Sequence, residues 1–312
     1  MNKIFITGAG GYVGAMLVKK LLEKNNFVCA YDLFTYGDVL EQHKNLKIIK
    51  GDIRNKQLLK KVIPGNNIFI HLACISNDPS FELDPNLGKE INYDAFEPMV
   101  KIAKDSGVER FIYASSSSVY GLKNEKDVTE ESILEPLTDY SKFKAMCEDI
   151  LLKYNDNNFT GTIIRPATVC GYSVRQRFDL VVNILTNHAF NNGKIKVFGG
   201  DQLRPNIHIK DMINAYLKVI EADKSIISGQ VFNAGFENRT VSELAHKVKN
   251  IIGKNIEIVF EKTDDNRSYH VSSNKIYKAL SYKPNFTIDD AIKDLHEAFK
   301  IKSFTDPLNN EN

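Results

Sequence analysis

A phenol and a primary amine stand four residues apart in Tyr140-Ser141-Lys142-Phe143-Lys144, a separation that stacks two side chains on one helical face. A cation so placed favours phenolate and brings tyrosine down from its ordinary pKa of about 10 toward the range of a usable general base. Upstream, the strand-like run Arg110 to Ala114 feeds into Ser115-Ser116-Ser117-Ser118-Val119-Tyr120-Gly121. That delivers hydroxyls at the C-terminal end of a strand, where ligands bind in open parallel sheets, and a serine there can bridge a substrate oxygen and a phenolate. Tyr-x-x-x-Lys is also what an ordinary surface pair looks like, so the rest of the chain has to decide.

Gly8, Gly11 and Gly14 follow the apolar run Lys3 to Thr7 and open a helical pattern that runs to about Glu23. Such a turn presents backbone N–H groups at a helix N-terminus, which can hold a pyrophosphate, and glycine lets the phosphate come close. The spacing is Gly-x-x-Gly-x-x-Gly, with Gly10 between the first two, and alone it fits an ordinary strand-to-helix turn as well. The second strand pattern, Phe27 to Tyr31, ends at Asp32, where an acidic side chain would accept hydrogen bonds from an adenine ribose. The same carboxylate would repel a 2′-phosphate, and no Lys or Arg follows in Leu33-Phe34-Thr35-Tyr36, so the reading is NAD rather than NADP. A solvated aspartate at a strand end is the plainer alternative for Asp32 taken singly.

Strand patterns near residues 3 to 7, 27 to 31, 46 to 49, 67 to 71, 109 to 115 and 160 to 165 alternate with helical ones near 12 to 23, 55 to 62, 88 to 105 and 140 to 154. This alternation predicts an α/β fold, a doubly wound parallel sheet with helices on both faces. After Pro166 the pattern is less regular. Pro205 and Pro284 interrupt it, and short β runs fall at Ile195 to Phe198, Gly229 to Asn233 and Ile256 to Phe260. The expected organisation is a nucleotide-binding domain over 1–166, rejoined by about 206–235, a smaller mixed α/β C-terminal substrate lobe over 167–205 and 236–305, and a frayed tail over 306–312.

The 312 residues are 43% hydrophobic and 26% charged, with 41 basic against 39 acidic side chains, a formal charge of +2. Nothing here marks a nucleic-acid or membrane partner. The chain starts directly in a strand pattern without a signal peptide, so the expected location is cytoplasmic. Cys29, Cys74, Cys147 and Cys170 are widely separated and form no Cys-x-x-Cys pair, which favours reduced cysteines over a disulfide framework or zinc site. His71 closes the run from Asn67 and reads as a packed core histidine rather than a ligand; no metal is expected.

With glycine loop, Asp32, serine run and Tyr140/Lys144 in this order, the chain resembles, over nearly its whole length, an extended short-chain dehydrogenase/reductase of the NAD-dependent nucleotide-sugar epimerase/dehydratase group. Further residues carrying the likeness are Gly51-Asp52-Ile53, His71 to Cys74, Asn92, Arg165 to Gly171, Val197-Phe198-Gly199 and Arg204 through Asp211. The resemblance implies a Rossmann domain and hydride-transfer chemistry. It places Gly8, Gly11, Tyr12, Val13, Gly14, Asp32, Leu33, Asp52, Ile53, Leu72, Ala73, Cys74, Asn92 and Pro166 at the cofactor, with Lys144 on the nicotinamide ribose and Tyr140 beside it. Asp52 and Ile53 would flank the adenine. Four residues before Tyr120 the family carries its catalytic hydroxyl, here Ser116, giving Ser116, Tyr140 and Lys144 as the expected catalytic set.

What surrounds that set narrows the chemistry. The 4,6-dehydratases carry Asp-Glu immediately after the catalytic hydroxyl, where this chain has Ser117-Ser118. The related decarboxylases place Glu, and the 3,5-epimerases and epimerase-reductases Cys, where Ser118 stands. A serine near pH 7 supplies neither carboxylate nor thiolate chemistry without its own activating base. Hydride transfer at a carbinol carbon, C4 of the sugar, needs only the three residues present. By resemblance Arg204, in Gln202 to His208, and Arg267, before Ser272 to Lys275, hold the substrate diphosphate, a task guanidinium forks suit. Each could instead be a surface ion pair. Ser76, Ser117, Thr168, Arg177 and Asn183 are further substrate-side candidates, with Arg175 beside them.

Thr168 and Cys170 stand where many 4-epimerases have Asn and Tyr, and Pro205 replaces the usual Asp after the phosphate arginine, so sugar and nucleotide stay open. Ser76 to Pro79 and Arg177 to Asn183 resemble epimerase-like proteins of surface-polysaccharide pathways. The expected activity is NAD-dependent nucleotide-sugar epimerisation through a 4-keto intermediate. A net 4-dehydrogenase or 4-keto-reductase uses the same residues, and a non-catalytic NAD-binding scaffold is a third reading. A homodimer through the helices near 88 to 105 and 140 to 154 is expected, to bury their apolar faces.

Overall fold

The computed structural model describes residues 1–123, 125, 127–263, 268–305 and 307–308. Its strands, in order, are β1 Lys3–Thr7, β2 Phe27–Asp32, β3 Leu46–Lys50, β4 Ile68–His71, β5 Arg110–Ala114, β6 Thr160–Pro166, β7 Thr168–Cys170, β8 Lys194–Phe198, β9 Leu203–His208, β10 Val231–Ala234, β11 Glu237–Thr240 and β12 Glu257–Glu261. Seven form one sheet in the order β10-β6-β5-β4-β1-β2-β3. The pairs from β3 through β6 are parallel. Chain order reverses at β1, so the C-terminal ends of β1 and β4 flank a topological switch point, where such sheets bind ligands. This is the doubly wound Rossmann arrangement the alternation predicts. Two smaller sheets, β11-β9-β7 and β12-β8, belong to the C-terminal half.

The chain divides into two compact units. The first comprises Met1–Val119, Leu134–Arg165 and Tyr216–Phe232; the second comprises Tyr120–Ile133, Pro166–Ala215 and Asn233–Asn312. In the first, the central strands are apolar on both faces because helices cover both, and Ile4, Phe5 and Ile6 are all fully buried. Phe5, Phe69 and Phe111 occupy matched positions on β1, β4 and β5, their rings 5.0 and 4.6 Å apart in sequence. Phe96 closes on this column from the helix Phe96–Asp105, 4.7 Å from the Tyr113 ring.

The single helix expected over 88 to 105 is three segments: Pro85–Lys89, a π turn Glu90–Asp94, and Phe96–Asp105. Ala95 N–H donates five residues back to the Glu90 carbonyl. Ahead of it lies the helix Asp78–Leu83, not anticipated although Asn77 caps it and Pro79 sits in its first turn, both ordinary start signals. The apolar stripes of Phe96–Asp105 and Asp139–Tyr154 turn inward, leaving Met146 as the large exposed apolar side chain on the second. Phe143, Ile150 and Leu152 of the second helix stay half-buried.

The second unit is far more helical than its proline-interrupted sequence suggests. Val181–Asn192, Val241–Ile252 and Ile288–Lys300 pack Val182, Leu185, Leu244, Val248 and Ile292 against Ile195 and Val197 of β8. Capping boxes at Thr240/Glu243 and Thr287/Asp290 start two of these helices. Pro205 does not interrupt β9. It sits opposite Asn238 of β11, while β7 pairs only with Asn206 to His208, so its missing donor falls where β9 has one partner. Of the tail expected over 306–312, Pro307 is held by its carbonyl, which accepts from Asn187 at 2.6 Å; residues 306 and 309–312 lie outside the described ones.

Phe69→Ala empties the middle of the aromatic column and is expected to cost about 3–5 kcal/mol of stability, read by urea unfolding. A loss below about 1 kcal/mol would show that the column is not the core of this unit.

Candidate active site

The glycine loop is built by close backbone approach. Gly8 has φ +72°, and a Cβ there would lie 2.6 Å from the Ala73 nitrogen and 2.8 Å from the Leu72 carbonyl carbon. Gly14 is tighter still, its hypothetical Cβ 2.0 Å from the Gly8 carbonyl oxygen. The helix Tyr12–Glu23 that follows has Gly11 as N-cap and no side-chain cap hydrogen bond, the kind of helix start that receives an anion. Tyr12 is buried, and Val13 lies in the same first turn.

Asp32 ends β2 beside this loop. One carboxylate oxygen accepts Gly10 N–H at 2.9 Å and the other accepts Phe34 N–H at 2.8 Å. A carboxylate has about four lone-pair sites, so acceptor capacity remains for a diol. Leu33 is exposed next to it. Asp52 is clamped by Arg54, with Nη2 to Oδ2 at 2.6 Å, and this hydrogen bonding holds its carboxyl below the usual range. Ile53 beside it is buried, and Tyr31 Oη donates to the Asp52 carbonyl at 2.6 Å.

Leu72 N–H donates to the Thr7 carbonyl at 3.0 Å, tying the start of Leu72-Ala73-Cys74 to the end of β1. Asn92, buried in the π turn, receives Ile75 N–H on Oδ1 and donates Nδ2 to the Ile75 carbonyl, both at 2.9 Å. It therefore holds the segment that carries Leu72 to Cys74 and Ser76. His71 is buried, with Nδ1 2.6 Å from Thr7 Oγ1; burial, assisted by the charge on Lys144, pushes its pKa well below the ordinary value. It is the packed core histidine the sequence suggests.

Tyr140 lies in the first turn of the helix Asp139–Tyr154, which Thr138 starts through a capping box with Ser141. Lys144 stands one turn further on, 4% exposed, with Nζ donating to the Ala114 carbonyl at 2.6 Å and lying 5.8 Å from the Tyr140 ring centre. Burial works against its charge, but the neighbouring Cys74, Tyr140 and Cys147 outweigh that and hold its pKa above the ordinary lysine value.

Ser116 follows β5 by two residues. Its Oγ accepts Ser118 Oγ–H at 2.8 Å and Ser118 N–H at 3.1 Å. A hydroxyl oxygen with both acceptor sites used keeps its own proton to donate. Ser117, by contrast, is buried at the start of a short 3₁₀ turn. Two residues that the sequence reading gave no role stand behind the serines: Glu148, one turn beyond Lys144, and Arg165 on β6, in a buried ion pair at 2.6 Å. The spacing 140, 144, 148 was a signal for the first of them. Nothing in Thr160 to Pro166 singles out an arginine partner 17 residues away.

In the second unit, Asn183 is fully buried in the first turn of Val181–Asn192 and holds the loop ahead of it, accepting Gly171 N–H at 3.0 Å and donating to the Arg177 carbonyl at 2.9 Å. The Arg177 guanidinium forks onto Asp179 at 3.0 and 2.6 Å. Arg175 donates to the Gln176 carbonyl at 3.0 Å, and Arg204 to the Leu203 carbonyl at 3.2 Å. Pro166 and Thr168 are half-buried at the β6 and β7 ends. Arg267 lies outside the described residues. The four cysteines are free thiols; burial pushes that of Cys147 up to about 12. Among the described residues no His, Cys, Asp and Glu cluster could hold a metal, and no helix is long and apolar enough to cross a membrane.

The model of the family described as NAD dependent epimerase/dehydratase matches residues 4–235. The chain belongs to that family. It is an enzyme of the extended short-chain dehydrogenase/reductase type, and its cofactor is NAD. The residues fit the group: a glycine cradle that a single Cβ would fill, an uncapped helix start and a strand-end carboxylate with acceptor capacity left. Relatives include the low-salt glycan biosynthesis protein Agl12 of Haloferax volcanii, 24% identical over 93% of this chain and 96% of that protein. A putative UDP-glucose 4-epimerase of Methanocaldococcus jannaschii is 26% identical over the same shares. Among solved structures, the UDP-glucuronic acid 4-epimerase of Bacillus cereus, in complex with UDP-glucuronic acid and NAD, superimposes with TM-score 0.87 at 26% identity, covering 96% of this chain and 99% of that one.

Two outcomes are expected from the loop geometry. Gly8→Ala, forced against the Leu72–Ala73 backbone, lowers NAD affinity by at least about tenfold, measured by calorimetric titration. NADP binds at least about tenfold more weakly than NAD, and Asp32→Ser narrows that gap; equal binding of the two by wild type would remove Asp32 from the ribose role.

Proposed function

We propose that the protein is a nucleotide-sugar epimerase acting at C4 of the sugar. The observation that carries this reading is the Ser116 hydroxyl, saturated as an acceptor by Ser118 and left as a donor, in a chain that has Tyr140 and Lys144 and lacks the acid/base pair of a dehydratase. NAD, when bound, supplies reversible acceptance and return of a hydride. Tyr140, as phenolate, takes the proton of the 4-hydroxyl. The buried ammonium of Lys144 favours that phenolate and, by family resemblance, grips the ribose. Ser116 donates to the same sugar oxygen and holds it as charge develops there. On return the proton goes back from Tyr140 to the oxygen of a 4-keto sugar that has presented its other face, so protons and electrons balance over a turnover.

The nucleotide is taken as UDP first, because relatives and the Bacillus cereus enzyme are named for UDP-sugars. Gly8 to Gly14, Asp32, Asp52, Ile53 and Leu72 to Cys74 would hold NAD, and Arg204 with Arg267 the sugar-nucleotide phosphates.

Tyr140→Phe is expected to lower kcat about 10²–10⁴-fold on a panel of UDP-, GDP-, dTDP- and CDP-hexoses while leaving NAD binding intact. Near-wild-type turnover by this variant would dispose of the reading. Denaturing the purified protein and weighing any released dinucleotide separates two cycles: stoichiometric NAD supports an epimerase that keeps its cofactor, whereas empty protein with reversible binding supports a net dehydrogenase or reductase. We also propose a homodimer through the helices Phe96–Asp105 and Asp139–Tyr154, the second of which exposes Met146. Light scattering should return twice the 35.3 kDa chain mass, and a monomer at working concentration would overturn it.

A further inference from the structure

Glu148 is a carboxylate with its side chain 3% exposed, facing Arg165, whose side chain is 5% exposed. The guanidinium is bidentate, with Nη2 to Oε2 at 2.6 Å and Nε to Oε1 at 3.0 Å. Oε1 also receives the hydroxyl of Ser115, the residue immediately before Ser116. Ser115 is fixed from behind as well, its N–H donating to the Ile164 carbonyl at 2.8 Å, next to Arg165. One carboxylate therefore joins three elements: the helix that carries Tyr140 and Lys144, the end of β5 that delivers the serines, and the end of β6. Buried ion pairs are commonly no more stabilising than apolar side chains of the same volume. This pair is better accounted for by what it aligns.

We propose that Glu148, clamped by Arg165, is a positioning residue that sets Ser116 against Tyr140 by gripping Ser115. This rests on the hydride-transfer reading above and deepens it. Ser115→Ala cuts only the arm to the serines and leaves the ion pair whole. Glu148→Gln keeps the shape and removes the charge.

The test is a pair of double-mutant cycles, with turnover read on the four-nucleotide sugar panel. Ser115→Ala should lower kcat about tenfold with KM, NAD affinity and Tm little changed, and Glu148→Gln somewhat more. Because both act through Ser116, each loss should shrink below about twofold in a Ser116→Ala background. Without substrate, amide hydrogen exchange should rise at Ser116 to Val119 in both variants, while β1 stays protected. Should Glu148→Gln fail to fold, Ser115→Ala carries both readouts. Equal losses in the two backgrounds, or unchanged exchange at the serines, overturn the proposal. Raised exchange in a protein whose wild type turns over none of the four sugars supports the brace and refutes the hydride-transfer reading instead.

Discussion

Lys144 and Glu148 are charges of opposite sign one turn apart on the same helix, and both are taken out of water. A buried charge without partners costs several kcal/mol, so each must find its own donors or acceptors in the sheet. Lys144 finds the Ala114 carbonyl; Glu148 finds Arg165 and Ser115. The helix is thereby bonded to the ends of β5 and β6. Tyr140 and Ser116 inherit their placement from those bonds, since neither is deeply buried.

The cofactor side follows a different logic, one of backbone and not of charge. Gly8 and Gly14 let β1, the first turn of its helix and the Leu72–Ala73 peptide come closer than any side chain would allow. Asn92 and Thr7 then tie the neighbouring segment at Ile75 and Leu72. Steric exclusion sets one wall of the site and electrostatics sets the other, and they meet at the C-terminal ends of β4 and β5.

How much of this was legible depended on whether the determinant was local. The glycines, Asp32, the serine run and Tyr140 with Lys144 are short motifs whose geometry follows from strand-turn-helix rules, and the sheet followed from their alternation. Glu148 and Arg165 carry no local signature as a pair; their meeting is a property of the folded sheet. In the second unit, the capping boxes Thr240/Glu243 and Thr287/Asp290 are legible in the sequence as local start signals. Val181–Asn192 was harder: its N-cap is Leu180, which offers no capping hydrogen bond. The helix Ile209–Glu221 starts directly after His208 closes β9, with no linker to announce it. Pro205 misled because a donor-less residue is tolerated wherever a strand has one neighbour.

The π turn at Glu90–Asp94 divides its helix into two stretches with different angular phase. Each residue advances an α-helix by about 100°, so the extra residue in the turn swings everything upstream relative to everything downstream. Gly88 lies against the Phe81 ring upstream of that offset, and Phe96 against Tyr113 downstream of it. Insertions and deletions in this stretch are therefore not interchangeable with those in a surface loop. Removing one residue would restore a regular helix and, in doing so, unlock the asparagine that holds Ile75.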